Sequence, residues 1–163
     1  MAVQMFTRIP VDFEPLRKNR FVFEFDNGSI IDSWVVRSGS RPKLTINEVE
    51  IPYLNTSTFV AGRYIWEAVD ITFIDPIGPS SSQKLMEWIR LCAESVTGRM
   101  GYAAGYKKNI ILKGLDPTGI EVQKWILEGA FVTNFDGGTL GYDDDALMEA
   151  TITIRPDRCL LSY

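Results

Sequence analysis

Tyr106-Lys-Lys-Asn-Ile-Ile-Leu-Lys-Gly, Ile120-Glu-Val-Gln-Lys-Trp-Ile-Leu-Glu-Gly-Ala-Phe-Val-Thr-Asn-Phe and Leu147-Met-Glu-Ala-Thr-Ile-Thr-Ile-Arg are three runs in which apolar and polar side chains alternate. Period-two alternation marks a strand with one wet and one buried face. In the last run Met148, Ala150, Ile152 and Ile154 point one way, and Glu149, Thr151, Thr153 and Arg155 the other. In the middle run Gly129 predicts a bulge or bend. Asp116-Pro-Thr-Gly reads as a type I turn between the first two runs. Pro156 is expected to stop the last strand and leave residues 156–163 as a tail.

Working toward the N-terminus, Leu85, Trp88, Ile89, Cys92 and Val96 recur at helical spacing and predict one amphipathic helix over Ser81–Val96. Ser80 is placed to cap it, with Gln83 three residues on and Gly98 as its stop. The loop 97–105 follows it. Tyr64–Ile74 reads as one long strand ended by Asp75-Pro-Ile-Gly-Pro. Phe21–Phe25 and Ile30–Arg37 read as the arms of a hairpin around Asp26-Asn-Gly-Ser. Residues 38–63 form a long excursion with the alternation of an extended hairpin, and excursions of that length in a compact domain are usually functional. Residues 1–18 read as an irregular arm. Six strands and one helix, with no internal repeat, predict a single mainly β domain over 1–163, as two packed antiparallel sheets or a partly open barrel.

Composition narrows the function. At 163 residues with 45% hydrophobic and 23% charged side chains, the chain is an ordinary globular domain. A net charge of −4 argues against a protein that coats nucleic acid, which needs a basic face. The absence of histidine removes the commonest general base and metal ligand. No stretch reaches the length of a membrane span, so no membrane insertion is expected, and the N-terminus lacks the pattern of a signal peptide. Two cysteines make neither a disulfide framework nor a zinc site and fit synthesis in a reducing cytoplasm.

Each candidate for chemistry has a plainer reading. Asp143-Asp-Asp lacks the ligand spacing of a calcium loop and reads as a solvated turn. Gly98-Arg-Met-Gly-Tyr-Ala-Ala-Gly follows a helix and opens a strand, the reverse of a phosphate loop. Cys92 has no histidine to activate it. Trp34, Trp66, Trp88 and Trp125 could stack on sugars or bases, but tryptophans are more often core. No enzyme, cofactor or metal is therefore expected. The polar faces of the strands are either the wet side of a sheet or the lining of a channel.

Taken in order, Leu85-Met-Glu-Trp-Ile, Tyr106-Lys-Lys-Asn-Ile-Ile-Leu, Leu127-Glu-Gly-Ala-Phe-Val-Thr-Asn-Phe and a final Thr-Ile-Thr-Ile strand resemble the tail-tube proteins of T4-like contractile phages. The resemblance implies a virion protein, made and assembled in the host cytoplasm, whose hexameric rings stack into a hollow conduit for genome ejection. Its implied partners are copies of itself, the tail sheath, the baseplate and tail terminator, a tape-measure protein in the lumen, and DNA passing without specific binding. It places the 38–63 excursion against the next ring, with Tyr53, Leu54, Phe59 and Val60 as contacts. It makes Asp70, Thr72, Glu149, Thr151 and Thr153 candidates for the lumen wall. Cys92 and Cys159 are expected to be free thiols, with an inter-subunit disulfide through the tail as the alternative. A baseplate tube initiator, a secretion-system or bacteriocin tube, and a monomeric β-sandwich binding module remain as other readings.

Overall fold

The computed structural model describes residues 13–26 and 30–162. Most of the expected N-terminal arm and the Asn27-Gly28 turn therefore lie outside the described residues.

The described residues form nine strands: β1 (Phe21–Phe25), β2 (Val36–Gly39), β3 (Leu44–Tyr53), β4 (Thr56–Trp66), β5 (Val69–Ile74), β6 (Lys108–Leu115), β7 (Glu121–Asp136), β8 (Glu149–Arg155) and β9 (Arg158–Ser162). Helix α1 (Ser81–Cys92) and the single turn α2 (Ala103–Tyr106) lie between β5 and β6. All pairings are antiparallel, in the order β1-β6-β7-β8-β5-β2, with β9 also on β7 and with β3-β4 as a separate pair.

The 16-residue β7 is the corner of the fold. Its first half pairs with β6 and β9, and its second half, from Phe131, pairs with β8. The change of partner happens at Gly129, where φ is +63° and an extra residue is accommodated between Ile110↔Leu127 and Lys108↔Ala130. A Cβ there would lie 2.3 Å from the Asp157 carboxylate, so only glycine fits both the backbone angle and the space. The bend turns one long strand into two sheets, β1-β6-β7-β9 and β2-β5-β8-β7, which enclose a core of Phe23, Phe25, Ile71, Phe73, Ile110 and Ile152.

Several expectations are corrected by the structure. β1 does not form a hairpin with residues 30–37: it pairs with β6, while β2 pairs with β5 at the other end of the sheet order. The buried Ile31 and Val35 explain this, because they draw the connecting segment across the core, and burial outweighs a local turn preference. The strand expected over 64–74 breaks at Glu67-Ala68 and serves two sheets. Helix α1 stops at Cys92, not at Val96, which is exposed. Ala93 is already extended and bridges Met100, and the Gly101 N–H donates to the Cys92 carbonyl at 2.9 Å. Gly101 permits this, since a Cβ would lie 1.9 Å from the Leu91 carbonyl oxygen. The loop 97–105 contains the start of α2. Pro156 interrupts rather than ends the last strand: Asp157 N–H donates to the Glu128 carbonyl at 3.0 Å, and β9 resumes the pairing with β7. The expected tail is thus part of the sheet.

Candidate assembly surfaces

On the four-stranded sheet β2-β5-β8-β7, alternation sends Val69, Ile71, Phe73, Ala150, Ile152 and Ile154 inward, where all are buried. The opposite face is mostly polar, with Ile74 and Phe131 as its apolar members. Asp70 sits opposite Thr153 and Thr72 opposite Thr151 on β5 and β8, and Glu149 is opposite Ile74 at the end of the same ladder. Thr153 Oγ1 donates to Asp70 at 2.7 Å, and the Thr72 and Thr151 hydroxyls are 3.2 Å apart. Glu149 is ion-paired with Arg37. The five residues singled out as lumen candidates therefore lie along one β5-β8 ladder, with Asp70 exposed and the others half-buried.

That reading missed their neighbours. Ser38 on β2 joins Thr72, and Asn134 and Asp136 on β7 join Thr153 and Thr151. The signal was present in the alternation of Asn134 and Asp136 with the inward Phe135, but it starts only after the register shift between Val132 and Asn134, which reverses the phase set by the Gly129 bend.

The 38–63 excursion is the β3-β4 hairpin with its flanks, and both strands are largely exposed. Register places Val49 opposite Val60, Ile51 opposite Thr58 and Tyr53 opposite Thr56 on one face, and Glu50 opposite Phe59 on the other. The four expected contact residues are thus not one patch. Tyr53 and Val60 share a face, Phe59 is on the reverse, and Leu54 is at the tip, 88% exposed with φ of +52°. A two-stranded hairpin is marginal in water by itself, and this one carries apolar side chains on both faces that are exposed among the described residues, Ile51, Tyr53, Phe59 and Val60 included, while Trp66 at its root packs on Trp125.

Helix α1 is anchored at its start. Ser80 Oγ accepts from the Gln83 N–H at 3.3 Å, as the sequence predicts. Asp75, which the sequence reading passed over as a strand terminator, does more: its carboxylate accepts from the Ser81 N–H at 2.9 Å, the Ser82 N–H at 3.3 Å and the Ser80 hydroxyl at 3.0 Å. Burial pushes the Asp75 pKa up, but the hydrogen bonds from Ser82, Ser80 and Ser81 outweigh it and hold the carboxyl below its usual range. Leu85 and Trp88 are buried, and the Trp88 ring N–H donates to the Tyr106 carbonyl at 2.7 Å. Trp66 and Trp125 are half-buried and pack edge to face at 6.4 Å, while Trp34 is 69% exposed. Cys92 is half-buried on the helix. Cys159 is buried opposite Leu127 in β9, and burial pushes its thiol up to about 11. Asp143, Asp144 and Asp145 are exposed in the β7–β8 connection.

The fold has known counterparts. A chain in the cryo-EM structure of the anti-feeding prophage tube-terminating cap superposes with a TM-score of 0.74 at 17% identity, over 99% of each chain. A chain in the sheath-tube complex of an extracellular contractile injection system, PVC, gives 0.73 at 17% identity, over 93% of each. The chain has the tail-tube fold. The SPP1 tail tube shares it more distantly, with a TM-score of 0.56 at 10% identity over 91% of this chain and 79% of the other. No protein-family model and no curated protein matches the sequence.

Proposed function

We propose that this chain is the structural subunit of a tail tube, forming hexameric rings that stack into a hollow conduit. The observation that carries the reading is the β2-β5-β8-β7 sheet. Among the described residues its two outer edges, β2 and the Phe131–Asp136 half of β7, have no partner strand. Unpaired edges invite further strands. Because the sheet has an even number of alternating strands, β7 of one copy and β2 of the next meet antiparallel, and a repeated junction of this kind makes a ring when the rotation between copies closes. The polar face then lines either the channel or the outside, and the inward choice matches its chemistry. Its three carboxylates, Asp70, Asp136 and Glu149, face Arg37 and Arg155 among threonines, so the wall carries no basic excess that would hold phosphates. The hairpin reaches the adjacent ring, and α1 lies away from the channel, toward the sheath. Baseplate, terminator, tape-measure protein and DNA in transit complete the partners of this reading. No catalytic role is part of it.

A tube terminator is the second reading, favoured by the match to the cap structure over 99% of each chain. Electron microscopy and light scattering of the purified chain separate the two. Rings that stack into tubes support a tube subunit, rings that stay single support a terminator, and monomers at high concentration, with no polymer nucleated on a baseplate, contradict both.

A further inference from the structure

A groove of about 600 Å³ opens between β1, β6 and the segment before β1, beside Gly39 of β2. Arg17, Lys18, Arg20, Arg41 and Lys113 line it, and Leu16, Phe21 and Trp125 give it an apolar wall. Three glutamates take up part of the charge: Arg20 and Arg17 lie 3.4 and 3.9 Å from Glu14, and Lys113 lies 2.7 Å from Glu24 and 3.5 Å from Glu121. Lys18 and Arg41 are exposed and have no ion-pair partner among the described residues. Two uncommitted cations beside an apolar wall suit an occupant that is both acidic and apolar.

The β3-β4 hairpin has that chemistry. Glu48 and Glu50 are the only charged residues between Lys43 and Arg63. Both are exposed, and neither is ion-paired among the described residues. The register puts them on one face of the hairpin, with Ala61 opposite Glu48 and the exposed Phe59 opposite Glu50. This face does not fill the groove of its own subunit, since no residue of the hairpin is among those lining it. The root of the hairpin nevertheless stands beside the groove. Arg41 in the groove lies three residues before Leu44, where β3 begins, and Trp66 at the end of β4 packs on Trp125 of the groove wall. From Leu44 to Tyr53 the hairpin then runs out roughly 30 Å. Within one subunit the stem of the hairpin holds its acidic face away from the groove, and a second copy brings the two together. Such a contact is heterologous and propagates.

We propose that the groove is the receptor for the β3-β4 hairpin of a neighbouring copy, with Glu48 and Glu50 meeting Lys18 and Arg41, and Phe59 covering Leu16 and Phe21. Each copy then gives one hairpin and receives one. The charges match in number, two free carboxylates against two free cations, and the pairs already made around the groove stay intact. The proposal rests on the tube reading, in which the hairpin reaches the adjacent ring, and names the surface that it meets there.

Charge swaps in the full chain test it. Glu48→Lys with Glu50→Lys, and separately Lys18→Glu with Arg41→Glu, change exposed side chains, and circular dichroism checks the fold. Ring formation is read by native mass spectrometry and stacking by electron microscopy. Like charges then face each other, so each pair of changes alone raises the ring concentration needed for tubes by on the order of a hundredfold while rings persist. All four changes in one chain restore opposite charges and tube length. Should a reversal unfold the chain, Glu48→Gln with Glu50→Gln and Lys18→Gln with Arg41→Gln are read in its place, each weakening stacking by on the order of tenfold. Normal stacking by either pair alone, or a folded fourfold variant that does not recover, overturns the proposal. Loss with the hairpin swap but not the groove swap means that the hairpin docks elsewhere, and the reverse means that the groove takes another partner; either result overturns it. A wild-type chain that forms no rings overturns the tube reading, and this proposal with it.

Discussion

Asp75 holds the strand β5 and the helix α1 in one arrangement, because the carboxylate that ends the strand accepts the first free N–H groups of the helix. Asp75→Ala is expected to destabilise the subunit by about 1–2 kcal/mol, the usual worth of a helix cap, measured by chemical denaturation. The sign of its pH dependence follows from its depressed pKa. The contribution is complete above the ordinary carboxylate value of 3.8 and is lost as pH falls through the lower folded value, whereas Asp75→Asn flattens that acid limb. Leu54 makes the opposite case. A leucine at φ +52° is strained, so Leu54→Gly is expected to stabilise the isolated subunit by about 1 kcal/mol, read in the same denaturation assay. A leucine in that conformation at an exposed tip fits the proposed contact outside the subunit. The cysteines give a third expectation. Cys159, buried and with its thiol raised to about 11, stays protonated at neutral pH, so a thiol reagent labels Cys92 first and Cys159 only on unfolding. Non-reducing electrophoresis of assembled particles then shows monomers, and reductant-sensitive multimers would revive the inter-subunit disulfide.

At the scale of elements, the β3-β4 hairpin is expected to be dispensable to its own subunit, because among the described residues its strands pair only with each other. Deleting residues 45–60 is expected to leave the main sheets folded, with a melting temperature close to the intact chain, and to abolish stacking; tubes of normal length would refute its inter-ring role. The strands of the C-terminal third, the capped helix and the Gly129 bend were legible in the sequence because each is set by local pattern: alternation, a serine before an apolar stripe, a glycine where no side chain fits. The partners were not legible. Nothing local tells Phe21–Phe25 to pair with β6 across the chain, and the Asp26-Asn-Gly-Ser signal pointed to a nearer partner. The resumption of β9 after Pro156 was equally hidden, since it depends on a bend made in another strand. For the candidate surfaces, the five polar residues of β5 and β8 were legible as alternates, but their union into one face required the register.

For the whole molecule, the sheet β2-β5-β8-β7 combines a packed inner face, a mostly polar outer face and, among the described residues, two unpartnered edges, and these three properties together are what the proposed wall segment of a tube needs. On the proposed reading, a subunit so built assembles sideways through these edges. The most direct test is a cryo-EM map of the polymer grown from the purified chain, on a baseplate nucleus if one is needed. The account predicts a hollow tube with Asp70, Thr72, Thr151 and Thr153 on the channel wall and α1 outside it; a map that puts this polar face on the outer surface, or a chain that stays monomeric on the nucleus, contradicts it.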